Sequence, residues 1–192
     1  MTKMAHLNAN TYGLVFGSLL KEPRLMPLGP GSPNADVQSE LKSLTIEKAF
    51  ASKAIRDEDM ARCCLAGLWL YHDYLDQSHK LSQEIETPTG SYWHGLVHRR
   101  EPDFSNSKYW FRRVGAHPVF ESLSGVPATL PDGPVGRAAE TLLRQGNWDA
   151  FAFVDLCEAN YDEKAPGHEW CRRMQRAEWM LLFGYCFEKA GG

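Results

Sequence analysis

The sequence predicts an all-α protein: one domain over residues 1–192, a bundle of six to seven helices with two long Pro/Gly-rich loops. Three observations carry this. Apolar residues recur at spacings of three, four and seven in the longest patterned stretches, the period of a helix with one buried face. Capping residues, glycines and prolines bracket those stretches. Strand patterns are confined to residues 12–20 and 125–130, and neither alternates cleanly. A chain of 192 residues fits one domain of ordinary size.

Residues 1–34 read as an irregular segment packed on the bundle. Within it, KEPRLMPLGPGSPN at 21–34 holds four prolines and two glycines and reads as a loop, a candidate lid. The apolar run YGLVFGSLL at 12–20 is preceded by only Lys3 and His6, and Glu22-Pro23-Arg24 follows where a small-residue cleavage site would lie, so we read it as mature protein. A helix over about 34–44 follows Ser32-Pro33, and a short one starts at Thr45. The longest helix is expected over 57–82. Three acids open it, and its apolar stripe runs through Ala61, Cys64, Leu65, Leu68, Tyr71 and Leu75. Pro88 and Gly90 end that pattern, and a helix over 90–100 runs up to Pro102. DFSNSK is then a loop and YWFRRVG a short helix. Residues 122–136, with three prolines and three glycines, form the second long loop. Three helices close the chain: 137–145, ended by Gly146, then 148–160 and 168–189.

Composition bounds the function. A charged fraction of 23% and a hydrophobic fraction of 43% are those of a soluble globular protein. The formal charge of −3 argues against a dedicated nucleic-acid binder. No apolar run approaches the roughly 20 residues of a membrane span. Five cysteines, two of them adjacent and none in CxxC, do not make a disulfide framework and fit a reducing, cytoplasmic setting.

Five polar groupings are candidates for chemistry. On helix 57–82, His72, Asp76 and His79 stand at i, i+4 and i+7, and Asp76 and His79 can meet as i, i+3 neighbours. Next, His94 and His98 have the i, i+4 spacing of a metal half-site. With Trp93, Leu96 and Val97 as the buried face, these two histidines fall at its border or toward solvent. If 83–89 is a short connection, the two helices fold back on each other. His79, His94 and His98 then approach one height near Asp76, a set suited to a divalent transition metal or to acid–base work. Third, the TPTGS helix start offers free N–H groups and two candidate caps, Thr89 and Ser91. Fourth, Arg99, Arg100, Arg112 and Arg113 are interleaved with aromatics over 98–117, Trp93 lying just before them. They could hold an anionic small molecule or stack bases. Last, Glu178 lies in the apolar stripe of the final helix, where a carboxylate needs a partner.

Residues 84–120, EIETPTGSYWHGLVHRREPDFSNSKYWFRRVGAHPVF, resemble a stretch found in uncharacterised bacterial and fungal proteins. The resemblance covers about a fifth of the chain and implies no activity and no residue roles.

Two functions fit this reading. The first is a small-molecule-binding protein or enzyme with a His/Asp/Glu/Arg pocket between helices 57–82, 90–100 and 168–189. There His72, Asp76, His79, His94 and Glu178 would be catalytic, and Thr89, Ser91, Trp93, Arg99, Arg100, Arg112 and Arg113 would bind an anionic ligand. The alternative is a non-enzymatic helical interaction or scaffold protein whose histidines and arginines form a structural polar network. The two differ in whether the histidines converge on open space or are each sealed by a protein partner.

Overall fold

The computed structural model describes residues 9–51, 53–126, 129–144 and 148–191, with side chains from residue 11 onward. It is all-α, with no strand among the described residues. Among the described residues eleven α-helices appear in place of six or seven: α1 (Gly13–Leu19), α2 (Gln38–Ser43), α3 (Ile46–Ala49), α4 (Glu58–Tyr71), α5 (Leu75–Gln83), α6 (Pro88–Arg100), α7 (Phe104–Val114), α8 (Pro118–Ser124), α9 (Gly133–Arg144), α10 (Ala150–Ala159) and α11 (His168–Ala190). The added helices come from one unexpected break and from short helices inside stretches read as loops.

The apolar run at 12–20 is helical. Phe16 is fully buried and meets Phe50, Phe183 and Phe187 edge to face, so packing and not alternation sets its conformation. The N-terminal segment is therefore not irregular throughout. The alternative strand at 125–130 and the helix stop at Gly146 fall partly or wholly outside the described residues.

The expected helix 57–82 is two helices. It breaks at 72–74, where Asp73 adopts a left-handed backbone with φ 63°. No glycine or proline marks the place. The Asp73 carboxylate is held instead by Arg24 at 2.6 Å and Arg100 at 2.5 Å. Gly31 lies against it, where an added Cβ would come within 2.6 Å of the carboxyl carbon. These long-range contacts outweigh a local cost of about 1–3 kcal/mol.

The loop at 21–34 is tied down along its length, so it is a strap and not a lid. The Tyr71 hydroxyl donates to Glu22 O, Arg172 to Leu25 O, Gln175 to Pro27 O and Arg100 to Gly29 O, at 2.6–2.9 Å. Asn34 N–H donates to His72 O at 3.0 Å, and the Tyr74 hydroxyl donates back to Asn34 O at 2.9 Å.

Helix α6 is the centre of the bundle. It packs on α4, α5 and α7, while α11 packs on α4 and α8. Every residue from Thr89 to Arg100 is buried. The expected division of this helix into a buried and a solvent face therefore does not occur. Close packing is made by small residues: Ser107 of α7 donates to Gly95 O at 2.8 Å, and Ser78 of α5 donates to Ala66 O of α4 at 2.8 Å.

Helix α7 begins earlier than expected. DFSNSK is not a loop but the first turns of α7, because Asp103 caps it by accepting from Asn106 N–H. Helix α8 is capped by His117, whose Nδ1 accepts from Val119 N–H, with Pro118 in the first turn.

Candidate metal centre

Helices α5 and α6, joined by residues 84–87, bring His79 against His94 and His98. One nitrogen from each of the three rings lies within 4.8 Å of the others. At about 100° per residue, His94, His98 and Glu101 occupy one side of α6. Glu101 is the C-cap residue of that helix and reaches back toward both of its neighbours. Its Oε1 lies 2.9 Å from His79 Nδ1 and its Oε2 lies 3.2 Å from His98 Nδ1.

A carboxylate only accepts, so each Nδ1 carries its proton toward Glu101. In a neutral ring with that tautomer the lone pair sits on Nε2. Asn106 Nδ2 stands 3.2 Å from Nε2 and 3.4 Å from Nδ1 of His98. Burial pushes the Glu101 carboxyl up, but hydrogen bonds from His98 and His79 outweigh this and hold it below the usual range.

His94 is different. It is buried, and neither ring nitrogen has a hydrogen-bond partner among the described residues. Stacking holds it. Its ring lies 3.9 Å from the Trp110 ring on one side and 4.7 Å from His98 on the other, both near parallel. Arg113 in turn lies over Trp110 at 5.2 Å. Burial, then the neighbouring His98 and His79, lower the His94 pKa to about 3, so its imidazole is neutral at ordinary pH. Neutral imidazole is the form that binds metals.

Three imidazole nitrogens beside a carboxylate make a donor set suited to zinc and its transition-metal neighbours. Tetrahedral zinc with bonds of roughly 2.0–2.1 Å spaces its nitrogens about 3.3 Å apart. The rings would close by about an ångström or more at the widest pair, within reach of side-chain torsions. His79 and Glu101 are about one quarter exposed and give access from solvent.

The other residues expected at a site lie elsewhere. Asp76 is exposed on α5, about 60° around the helix from His79, and Glu101 stands where it was expected. His72 caps α4, with Nε2 against Leu19 O at 2.9 Å and Nδ1 against Asn34 at 3.2 Å. The cap of α6 is Thr87, whose hydroxyl accepts from Gly90 N–H, and neither Thr89 nor Ser91 fills that role. Thr89 pairs with His117 and Ser91 is buried. Gly90 backs onto Ile85 O, and its N–H is already taken by Thr87. Trp93 is core and donates to Cys186 Sγ at 3.4 Å. Glu178 is fully buried, paired with Arg99 at 2.5 Å and accepting from Tyr92 at 2.9 Å. Arg100 is paired with Asp73, while Arg112 and Arg113 are exposed on α7.

Thus the histidines and the buried arginines lie on different sides of α6 among the described residues. Leu96, Arg99 and Arg100 point about 140–240° away from His94 on α6. There they wall a separate small cavity between α4, α6 and α11. Compared with protein-family models, curated proteins and solved structures, the chain matches none. No described helix is long and apolar enough to cross a membrane.

Glu101 and Trp110 are the residues that sequence reasoning missed as partners of the histidines. Glu101 had a signal, since it stands three residues after His98 on the same helical face. Trp110 had none until α7 was seen to begin at Phe104.

Proposed function

We propose that this chain binds a divalent transition metal through His79, His94 and His98, with Glu101 orienting two of the rings. One observation carries the reading: His94 is buried with two unpartnered nitrogens in a three-histidine cluster. A buried imidazole without a hydrogen bond costs about 1–3 kcal/mol, which a ligand bond would offset. Three protein ligands leave a coordination position open, the arrangement of catalytic zinc sites, where the metal lowers the pKa of bound water to about 7. The activity that fits is metal-assisted hydrolysis or hydration of a small molecule. Anionic substrates have little support here, since Arg99 and Arg100 face away from the cluster.

The test is metal titration of protein made without a histidine tag and stripped with chelator. One equivalent of Zn²⁺ or Co²⁺ is expected to bind, with visible Co²⁺ bands in the wild type and none in His94→Leu. Absence of stoichiometric binding, or equal binding by the variant, would refute it. The second reading, a structural polar network in a scaffold protein, is favoured by the sealed pairs Arg99–Glu178 and Arg100–Asp73. It predicts no metal and no Co²⁺ spectrum.

A further inference from the structure

The histidine cluster has an inner and an outer side. His94 and His98 are buried, and Trp110 lies nearly flat against His94. His79 and Glu101 are about a quarter exposed, and the Asp103 side chain, just past the α6 C-cap, is about half exposed. A ligand approaching the cluster from solvent therefore meets α5, the end of α6 and the start of α7. Glu101 and Asp103 stand on that side.

The two carboxylates are not equivalent. Glu101 is used up, one oxygen facing His79 Nδ1 and the other His98 Nδ1. Asp103 caps α7 through Oδ1 alone, which accepts from Ser105 Oγ at 3.1 Å and from Asn106 N–H at 3.2 Å. Its Oδ2 lies 3.9 Å from His98 Nδ1, too far for a hydrogen bond, and accepts from no donor among the described residues. The cap thus fixes a carboxylate whose second oxygen faces the outer side of the cluster with its acceptor capacity unspent.

Charge gives the class of ligand. With neutral imidazoles, Glu101 and Asp103 together balance a divalent metal. Arg99 and Arg100 face away on α6, and Arg113 is engaged with the Trp110 ring. An anion entering here gains no cationic partner from them, whereas a cation finds Oδ2 ready to accept a charge-assisted hydrogen bond.

We propose that the metal site takes a small substrate bearing a primary ammonium or guanidinium group, with Asp103 Oδ2 as the anchor for that group. This deepens the metal reading above and rests on it.

The test uses two probes, glycine hydroxamate and acetohydroxamate, which carry the same metal-binding group with and without an ammonium. Each is titrated into Co²⁺-loaded protein made without a histidine tag, and binding is followed in the visible Co²⁺ bands. The wild type should prefer the glycine compound, and Asp103→Asn should cut that preference at least about threefold. Asparagine caps helices as well as aspartate does, so the variant keeps the start of α7. Comparing the ratio of the two affinities cancels any change at the metal itself. Equal affinities in the wild type, or an unchanged preference in Asp103→Asn, would overturn the anchor. A wild type that takes up no Co²⁺ would instead refute the metal reading, and this inference with it.

Discussion

Replacing His94 with leucine should stabilise the metal-free protein while abolishing its metal affinity. The wild-type ring holds two unpartnered nitrogens in a buried site. Removing them recovers about 1–3 kcal/mol. Loss of the stack on Trp110 costs about 0.5–1.5 kcal/mol. Leucine has similar bulk and a slightly better helix propensity, so the net gain at neutral pH is about 1 kcal/mol. For a chain of this size that raises the melting temperature by roughly 2–4 °C. Acid should widen the gap. The His94 pKa falls from 6.5 to about 3 on folding, so the unfolded chain takes up the proton first. Stability is lost as pH drops below 6.5, by about 2 kcal/mol from this ring at pH 5. His94→Leu removes that loss. The assay is denaturant unfolding in chelator at pH 7.5 and pH 5, followed by Zn²⁺ titration. A variant less stable than wild type at both pH values, or one that still gains stability from Zn²⁺, would refute the reasoning.

Three further outcomes follow from the same contacts. Trp110→Ala removes the shelf that orients His94 and should weaken metal binding roughly 10–100-fold, with Trp110→Phe restoring most of it in the same titration. Glu178→Ala leaves the Arg99 guanidinium buried and unpaired and should cost about 3–5 kcal/mol in urea unfolding. His72 and His117, both lowered by burial from 6.5 to about 4, should add to the acid loss below pH 6.5. Wild-type melting temperature should therefore fall steadily from pH 7 to pH 5, and a flat profile would count against buried neutral histidines.

The helical class was legible because apolar spacing and capping residues act locally. Thr45 accepting from Lys48 N–H at the start of α3 is such a case. The break at Asp73 was not legible, since what holds it are Arg24 and Arg100, 49 and 27 residues away. Helix α6 misled for a related reason. Periodicity locates a face only when one side meets water, and this helix is enclosed on all sides. The proximity of His79, His94 and His98 could be anticipated from the fold-back of two helices. Its carboxylate was misassigned to Asp76, because the packing of α5 against α6 decides which acid faces inward.

The strap at residues 21–34 also bears on the order in which this protein assembles. Arg172 and Gln175, which hold Leu25 and Pro27, lie almost 150 residues further along the chain. During synthesis α11 is made after both α1 and the strap. Until then the phenylalanine of α1 lacks Phe183 and Phe187, and the strap lacks its anchors on that helix. Helix α1 and the strap are thus made well before the anchors they dock on, a non-local closure that slows folding and leaves an apolar helix exposed to chaperones meanwhile.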